Sequence, residues 1–396
     1  MTTQNLIETQ TGLPHDSHSS LTAHEHVGFE LGWDYAHYRV TPPAPYVQEP
    51  SPLRTGLIAG QATFGQRTLA GTRHVRKWLQ LRLNAWLRGR SVELVQVTPN
   101  HLKQIDVSHC PITRAELSSA TLEASDASVD RVRNDAGYAA GNLAVMSTKA
   151  NHAKAAYGFR DALRFVQQIE AEQLPGLNGL TALQWSRVAV LCSFVEPLPH
   201  AEACALPLLV LPPNRLRLFN PVQALQAFVS QQLLKPGWSQ RVSRFEDLLP
   251  GKSHEQAPGR PQACSTPSGG GTPQGVPGGN IKRDFKAFFM ALLPRVLEAG
   301  KLTETLTTRW AIEDAWRSPL VQQRWAQFAR QLEPAQCESQ LVRATARRLG
   351  TTQLSAIGDA HATDGWALET RGYVPHSLLV AAPSAAEPQA QRQFAW

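Results

Sequence analysis

Residues 128–159, "SVDRVRNDAGYAAGNLAVMSTKANHAKAAYGF", constrain the fold more than any other stretch of the chain. "SVDRV" reads as a short strand, "RNDAGYAAGN" carries turn signals at Asn134-Asp135 and Gly137, and "LAVMS" reads as a second strand. Ser147 or Thr148 can then cap a helix through "KANHAKAAYG" that Gly158 ends. Asp130 falls mid-strand, where a carboxylate is costly unless it is solvated, paired or metal-bound. Asn142 opens the second strand, and Asn151 lies in the helix with Lys154 one turn later. A helix laid across such a hairpin can bring Asp130 and Asn151 to one point. Two oxygen ligands with open remaining positions suit Mg²⁺, which accepts phosphate oxygens and polarises a scissile phosphate. The plainer alternative is that Asp130 and Asn151 cap and cross-link the hairpin.

Upstream, "TRHVRKWLQLRLNAWLRGR" predicts a helix from Thr72 as N-cap to Gly89 as terminator. Val75, Leu79, Leu83 and Trp86 form its apolar stripe. Arg73, Lys77, Asn84 and Arg88 occupy another face, with Arg76, Arg82 and Arg90 around the rim. This face is either solvated or a phosphate contact. "SVELVQVTP" reads as a strand closed by Pro99.

The domain plan is a sequence of six segments. Residues 1–55 are expected as an extended or partly disordered arm, in which "FELGWDYAHYRV" packs on something. Residues 56–165 hold the hairpin–helix with its preceding basic helix, and 166–252 are mainly helical. Residues 253–281, rich in Gly, Pro, Ser and Thr, read as a flexible linker. Residues 282–350 read as a C-terminal helical domain with Trp310, Ile312, Trp316, Val321 and Trp325 in its core, and 351–396 as a tail.

The net charge of +7 and pI near 9.3 suit a polyanionic partner. No apolar run approaches bilayer-spanning length, and "ALPLLVLPP" at Ala205–Pro213 is a core strand or loop. The first residues carry neither a basic nor an apolar leader segment, so a cytoplasmic protein without a membrane partner is expected. Five scattered cysteines without C-x-x-C predict buried free thiols.

Asp-Arg, Gly-Tyr, Gly-Asn with an apolar strand, and Asn-x-x-Lys together resemble the HNH (ββα-metal) endonuclease family, in the branch with a "DR…GY…N…N..K" signature. "CPITRAEL", Cys110 to Leu117, is similar to the "C-x-x-T-G" segment that precedes the hairpin there, with Arg114 where glycine is usual. The resemblance spans roughly 110–158.

It implies an α+β fold class, a small hairpin–helix module embedded in a mainly α-helical, multi-domain chain. It also implies one Mg²⁺ or Mn²⁺ ion held by Asp130 and Asn151, Asn142 orienting the base, and Lys154 near the phosphate. Arg131 stands where the wider family has its general-base histidine, and an arginine cannot take that proton. His152 and His109 are the nearby substitutes, although His152 points about 100° around the helix from Asn151. The catalytic candidates are thus Asp130, Arg131, Asn142, Asn151, Lys154 and His152. The nucleic-acid contacts are Arg73, Arg76, Lys77, Arg131, Lys149 and Lys154. The functional expectation is a metal-dependent endonuclease acting on DNA, with a protein partner possible at the C-terminal helices. The alternative is a catalytically degenerate HNH fold that binds nucleic acid or protein.

Overall fold

The computed structural model describes residues 22–48, 50–250, 280–302, 304–350 and Trp366. The linker expected over 253–281 and the tail over 351–396 lie outside them, apart from Asn280, Ile281 and Trp366, as does Cys264. The chain divides into two compact units, residues 1–86 and 87–396. The boundary therefore separates most of the basic helix from the hairpin that it was expected to join.

The first unit contains α1 (Ala23–His37), α2 (Pro45–Gln48), α3 (Pro52–Phe64) and α4 (Arg73–Leu87), whose last residue falls past the boundary. Part of the expected extended arm is therefore helix. Thr22 and Glu25 form a reciprocal capping box that satisfies the first free N–H groups of α1. Gly32 on α1 and Gly56 and Gly60 on α3 then remove the side chains that would hold the helices apart, while Gly28 makes room for the Trp86 ring. A Cβ added at Gly32 would stand 1.9 Å from the Leu53 carbonyl oxygen, and one at Gly56 1.9 Å from that of Phe29. The aromatic cluster packs as expected: Trp33 and His37 meet Phe64 at ring separations of 5.1 and 4.3 Å. On α4, Val75, Leu79, Leu83 and Trp86 are buried. Arg82 is not on the rim: it is buried, ion-paired to Asp34 and laid 4.4 Å over the Trp78 ring.

The second unit is mainly helical with one antiparallel two-stranded sheet. It runs α5 (Pro99–Ile105), β1 (Ala127–Arg131), β2 (Leu143–Ser147), α6 (Thr148–Lys154), α7 (Phe159–Ala171), α8 (Ala182–Ser193), α9 (His200–Ala205), α10 (Pro221–Leu233) and α11 (Trp238–Glu246). After the undescribed stretch come α12 (Ile281–Ala299), α13 (Thr305–Ala315), α14 (Pro319–Ala329) and α15 (Pro334–Ala346). "SVELVQVTP" is not a strand. The Glu93 carboxylate accepts a hydrogen bond from the Gln96 N–H at 2.7 Å and turns the chain there. Only Val92 makes a bridge, to Tyr138.

The hairpin pairs Asp130 with Ala144 and Val129 with Val145, and Ser147 caps α6 through its hydroxyl. α6 ends at Ala155 (φ 45°) rather than at Gly158, which instead precedes α7. The segment 205–213 is irregular chain, with Leu208–Leu211 buried. The four described cysteines are buried free thiols.

One hydrophobic cluster runs from Cys110 and Met146 through Trp185 and Phe228 to Phe285, Trp316 and Trp325. The regions 166–252 and 282–350 are therefore not separate domains from the hairpin. A partly buried charge cluster ties them together. Arg114 donates to both Asp314 carboxylate oxygens at 2.7 and 2.8 Å. Arg187 reaches the Ile112 carbonyl, and Glu313 accepts from Arg309 and from the Leu211 N–H, each at 2.9 Å. Arg114 has φ +63°, the left-handed region that explains why glycine suits this position. Its side chain carries the backbone strain because it anchors α13.

Because the α1–α3 contact leaves no room for a methyl group, Gly32→Ala and Gly56→Ala are each expected to destabilise the first unit. The loss is about 1–3 kcal/mol or more, read as a lower urea midpoint in the variant.

Candidate functional site

Alternation along β1 puts Ser128 and Asp130 on the same face, and α6 crosses that face. Lys154, fully buried, places its ammonium 2.9 Å from Asp130 Oδ2, itself on a residue only 5% exposed. The contact is a close ion pair without hydrogen-bond alignment at that oxygen. The ammonium donates instead to the Arg131 carbonyl at 3.0 Å, with Asn134 Oδ1 at 3.5 Å. Asn151, one turn earlier on α6, donates from Nδ2 to Ser128 Oγ at 2.7 Å. The helix is thus registered so that Asn151 meets Ser128 while Lys154 meets Asp130.

The remaining motif residues build the turn. Asn142, wholly buried, accepts from the Arg133 N–H at 2.8 Å and donates to the Arg133 and Gly137 carbonyls at 3.0 Å each. Its three bonds are spent on backbone, so it braces the hairpin turn. Arg131 donates from one nitrogen to the Asn134 and Ala136 carbonyls, both at 2.9 Å, and lies 5.3 Å over the Tyr138 ring. Cys110 organises the segment before the hairpin: its sulfur accepts from the Thr113 N–H and the Ser147 hydroxyl, both at 3.4 Å.

The histidines lie apart from this network. His152 and Lys149 are exposed on α6 and line one open groove. His109 packs edge-on against Trp310 at 5.6 Å. Of the other cationic candidates, Arg73 and Arg76 are exposed on α4 in the first unit, and Lys77 is half-buried there.

A divalent ion between Asp130 and Asn151, as the resemblance implies, does not fit this arrangement. The carboxylate already faces a buried cation, and a second positive charge beside Lys154 is opposed by Coulomb repulsion in a low-dielectric site. Among the described residues no group of three or more His, Cys, Asp or Glu is placed to hold a metal ion.

Two carboxyls near the hairpin titrate in opposite directions. Burial pushes Asp130 above the usual carboxylate range, against the pull of Lys154. Asp126, just before β1, is held down to about 2 by hydrogen bonds from the Thr121 hydroxyl, the Ser118 hydroxyl and the Thr121 and Leu122 N–H groups. Ser128 and Asp126 are the site residues that motif reading misses. Only the strand alternation, which puts Ser128 beside Asp130, signals the first.

No family model matches the chain, and no curated protein or solved structure matches it either. The likeness to HNH enzymes rests on the motif residues alone.

Removing one partner of the buried pair strands the other charge. Lys154→Met is expected to cost about 3–5 kcal/mol, and the double variant Asp130→Asn/Lys154→Met to recover much of it, as read in urea melts. The pH dependence follows from the signs. Asp130, raised in the folded chain, stabilises most below the ordinary carboxylate range, and that contribution is lost as pH rises through its folded value. Asp126, lowered, stabilises above 3.8, and its contribution is lost as pH falls towards about 2. Unfolding midpoints followed down from about pH 4 to about pH 2 should fall in the wild type by a component that Asp126→Asn lacks.

Proposed function

We propose that the second unit carries a ββα-like hairpin–helix that binds nucleic acid and does not cleave it. The observation behind this reading is the Asp130–Lys154 pair: the cation facing the strand carboxylate is a side chain of the chain itself. Arg131, Asn142 and Asn151 are likewise engaged with turn carbonyls or with Ser128. Each polar residue of the motif therefore has a structural task that keeps strands, turn and helix in register. The net charge of +7 and the exposed Lys149 and His152 on α6 support a polyanionic ligand. Lys154 and Arg131 leave the set of phosphate contacts, since Lys154 is fully buried and Arg131 grips the turn.

A metal-dependent HNH endonuclease acting on DNA is the second reading. It is favoured by β1, β2 and α6 following one another as an antiparallel hairpin with a helix packed on it. That reading requires Lys154 to withdraw from Asp130 before an ion can enter.

Supercoiled plasmid incubated with the full chain and Mg²⁺ or Mn²⁺ separates the two. The expected result is binding that weakens linearly in log–log salt titration, with no nicking above the rate of buffer alone. Nicking by the wild type that disappears in Asp130→Asn would overturn the proposal in favour of the nuclease. Absence of both nicking and binding would remove nucleic acid from either reading.

A further inference from the structure

The outer side of α6 carries a groove of about 530 Å³, whose lining includes Lys149, His152, Tyr157 and Ala124, Ala153 and Ala155. That volume lies in the range of small-molecule and cofactor sites. No carboxylate lines it, although acidic residues are common elsewhere on the chain. Lys149 and His152 are three residues apart on α6 and so share a face. The Lys149 stem runs past the turn at Gly179, where an added Cβ would meet its Cε at 3.8 Å, and the residue is exposed. An imidazole offers an N–H donor in either tautomer, so His152 can bind an anion beside it.

Tyr157 also lines the groove. It is 37% exposed, and its ring is fixed edge-on by Phe165 at 4.8 Å and by Trp185 at 6.3 Å. An aromatic ring held in place in a cationic groove has the chemistry to stack on a flat heterocycle whose phosphate reaches the cations. Alanines 124, 153 and 155 complete the lining with small side chains.

From this juxtaposition we infer that the groove takes one nucleotide unit, with the phosphate at Lys149 and His152 and the base against Tyr157. The inference rests on the nucleic-acid reading above and locates its contact surface. A base can reach a side-chain ring only when it is unstacked, so the ligand is a nucleotide of a single strand or a free mononucleotide, not a paired duplex base.

The test measures anisotropy of a labelled single-stranded oligonucleotide and of a duplex of equal length with the full chain. The variants are Lys149→Gln/His152→Gln, Tyr157→Leu and Tyr157→Phe, with unlabelled mononucleotide as competitor. The cation variant should weaken single-strand binding at least tenfold and lower the salt slope by about one for each phosphate it no longer neutralises. Tyr157→Leu should weaken the single strand more than the duplex, and Tyr157→Phe should restore binding. Competition by mononucleotide at concentrations near the oligonucleotide's own Kd identifies a free nucleotide as the ligand. Competition only far above that value identifies the strand. Wild-type binding that both groove variants retain would overturn the groove and leave the nucleic-acid reading standing; absence of wild-type binding would sink both. Lys149 and His152 are exposed, so their variant keeps the fold and the test decisive even if Tyr157→Leu does not.

Discussion

The ion pair between Asp130 and Lys154 sets the geometry of everything around the hairpin. A lysine with no exposed surface is tolerated only where its charge is matched, and here a strand carboxylate and the Arg131 carbonyl match it. Once Lys154 is fixed over Asp130, helical spacing places Asn151 over Ser128 and turns Lys149 and His152 outward. The same pair keeps β1 against α6 and sets an internal cation 2.9 Å from the one carboxylate oxygen that has no hydrogen-bond partner. Structure and electrostatics are coupled at this point, because the group that holds the helix down also faces the carboxylate.

The C-terminal helices depend on a second polar anchor. Arg114 occupies a left-handed backbone position that glycine would adopt without strain. A glycine there would leave Asp314 without its bidentate partner and Trp310 without the guanidinium that lies 5.4 Å over its ring. The side chain offsets local strain by tying α13 to the segment ahead of the hairpin. The contact makes the C-terminal helices part of the hairpin's own core.

Much of the local structure was legible in the residues. The two strands, the Ser147 cap and the apolar stripe of α4 follow from the turn signals between the strands, capping chemistry and helical spacing. Three things were not legible. Gly32, Gly56 and Gly60 look like helix-weakening residues until two backbones are brought together, and only the α1–α3 contact gives them a role. The strand expected at "SVELVQVTP" failed because β-branched residues report a preference, whereas the Glu93 side chain formed a competing local hydrogen bond. At the hairpin, motif spacing singled out residues that the fold does bring together on two strands and a helix. It did not reveal that Lys154 turns inward, since a lysine at that spacing is as readily a solvated phosphate contact.

That inward turn separates two roles which one surface would otherwise have to combine. A strand face that holds a divalent ion must stay open to water and phosphate, which weakens the packing of any helix laid across it. With an internal ammonium in that place, α6 seals the face and the module keeps its shape without a bound ion. The polar residues that remain accessible then sit on the opposite side of α6, where Lys149, His152 and Tyr157 border the groove. In the proposed reading, ligand contact lies on the helix exterior and the hairpin is the scaffold that presents it. The side chains that hold the module together and those that would meet a phosphate are then different residues, so either set can change without the other.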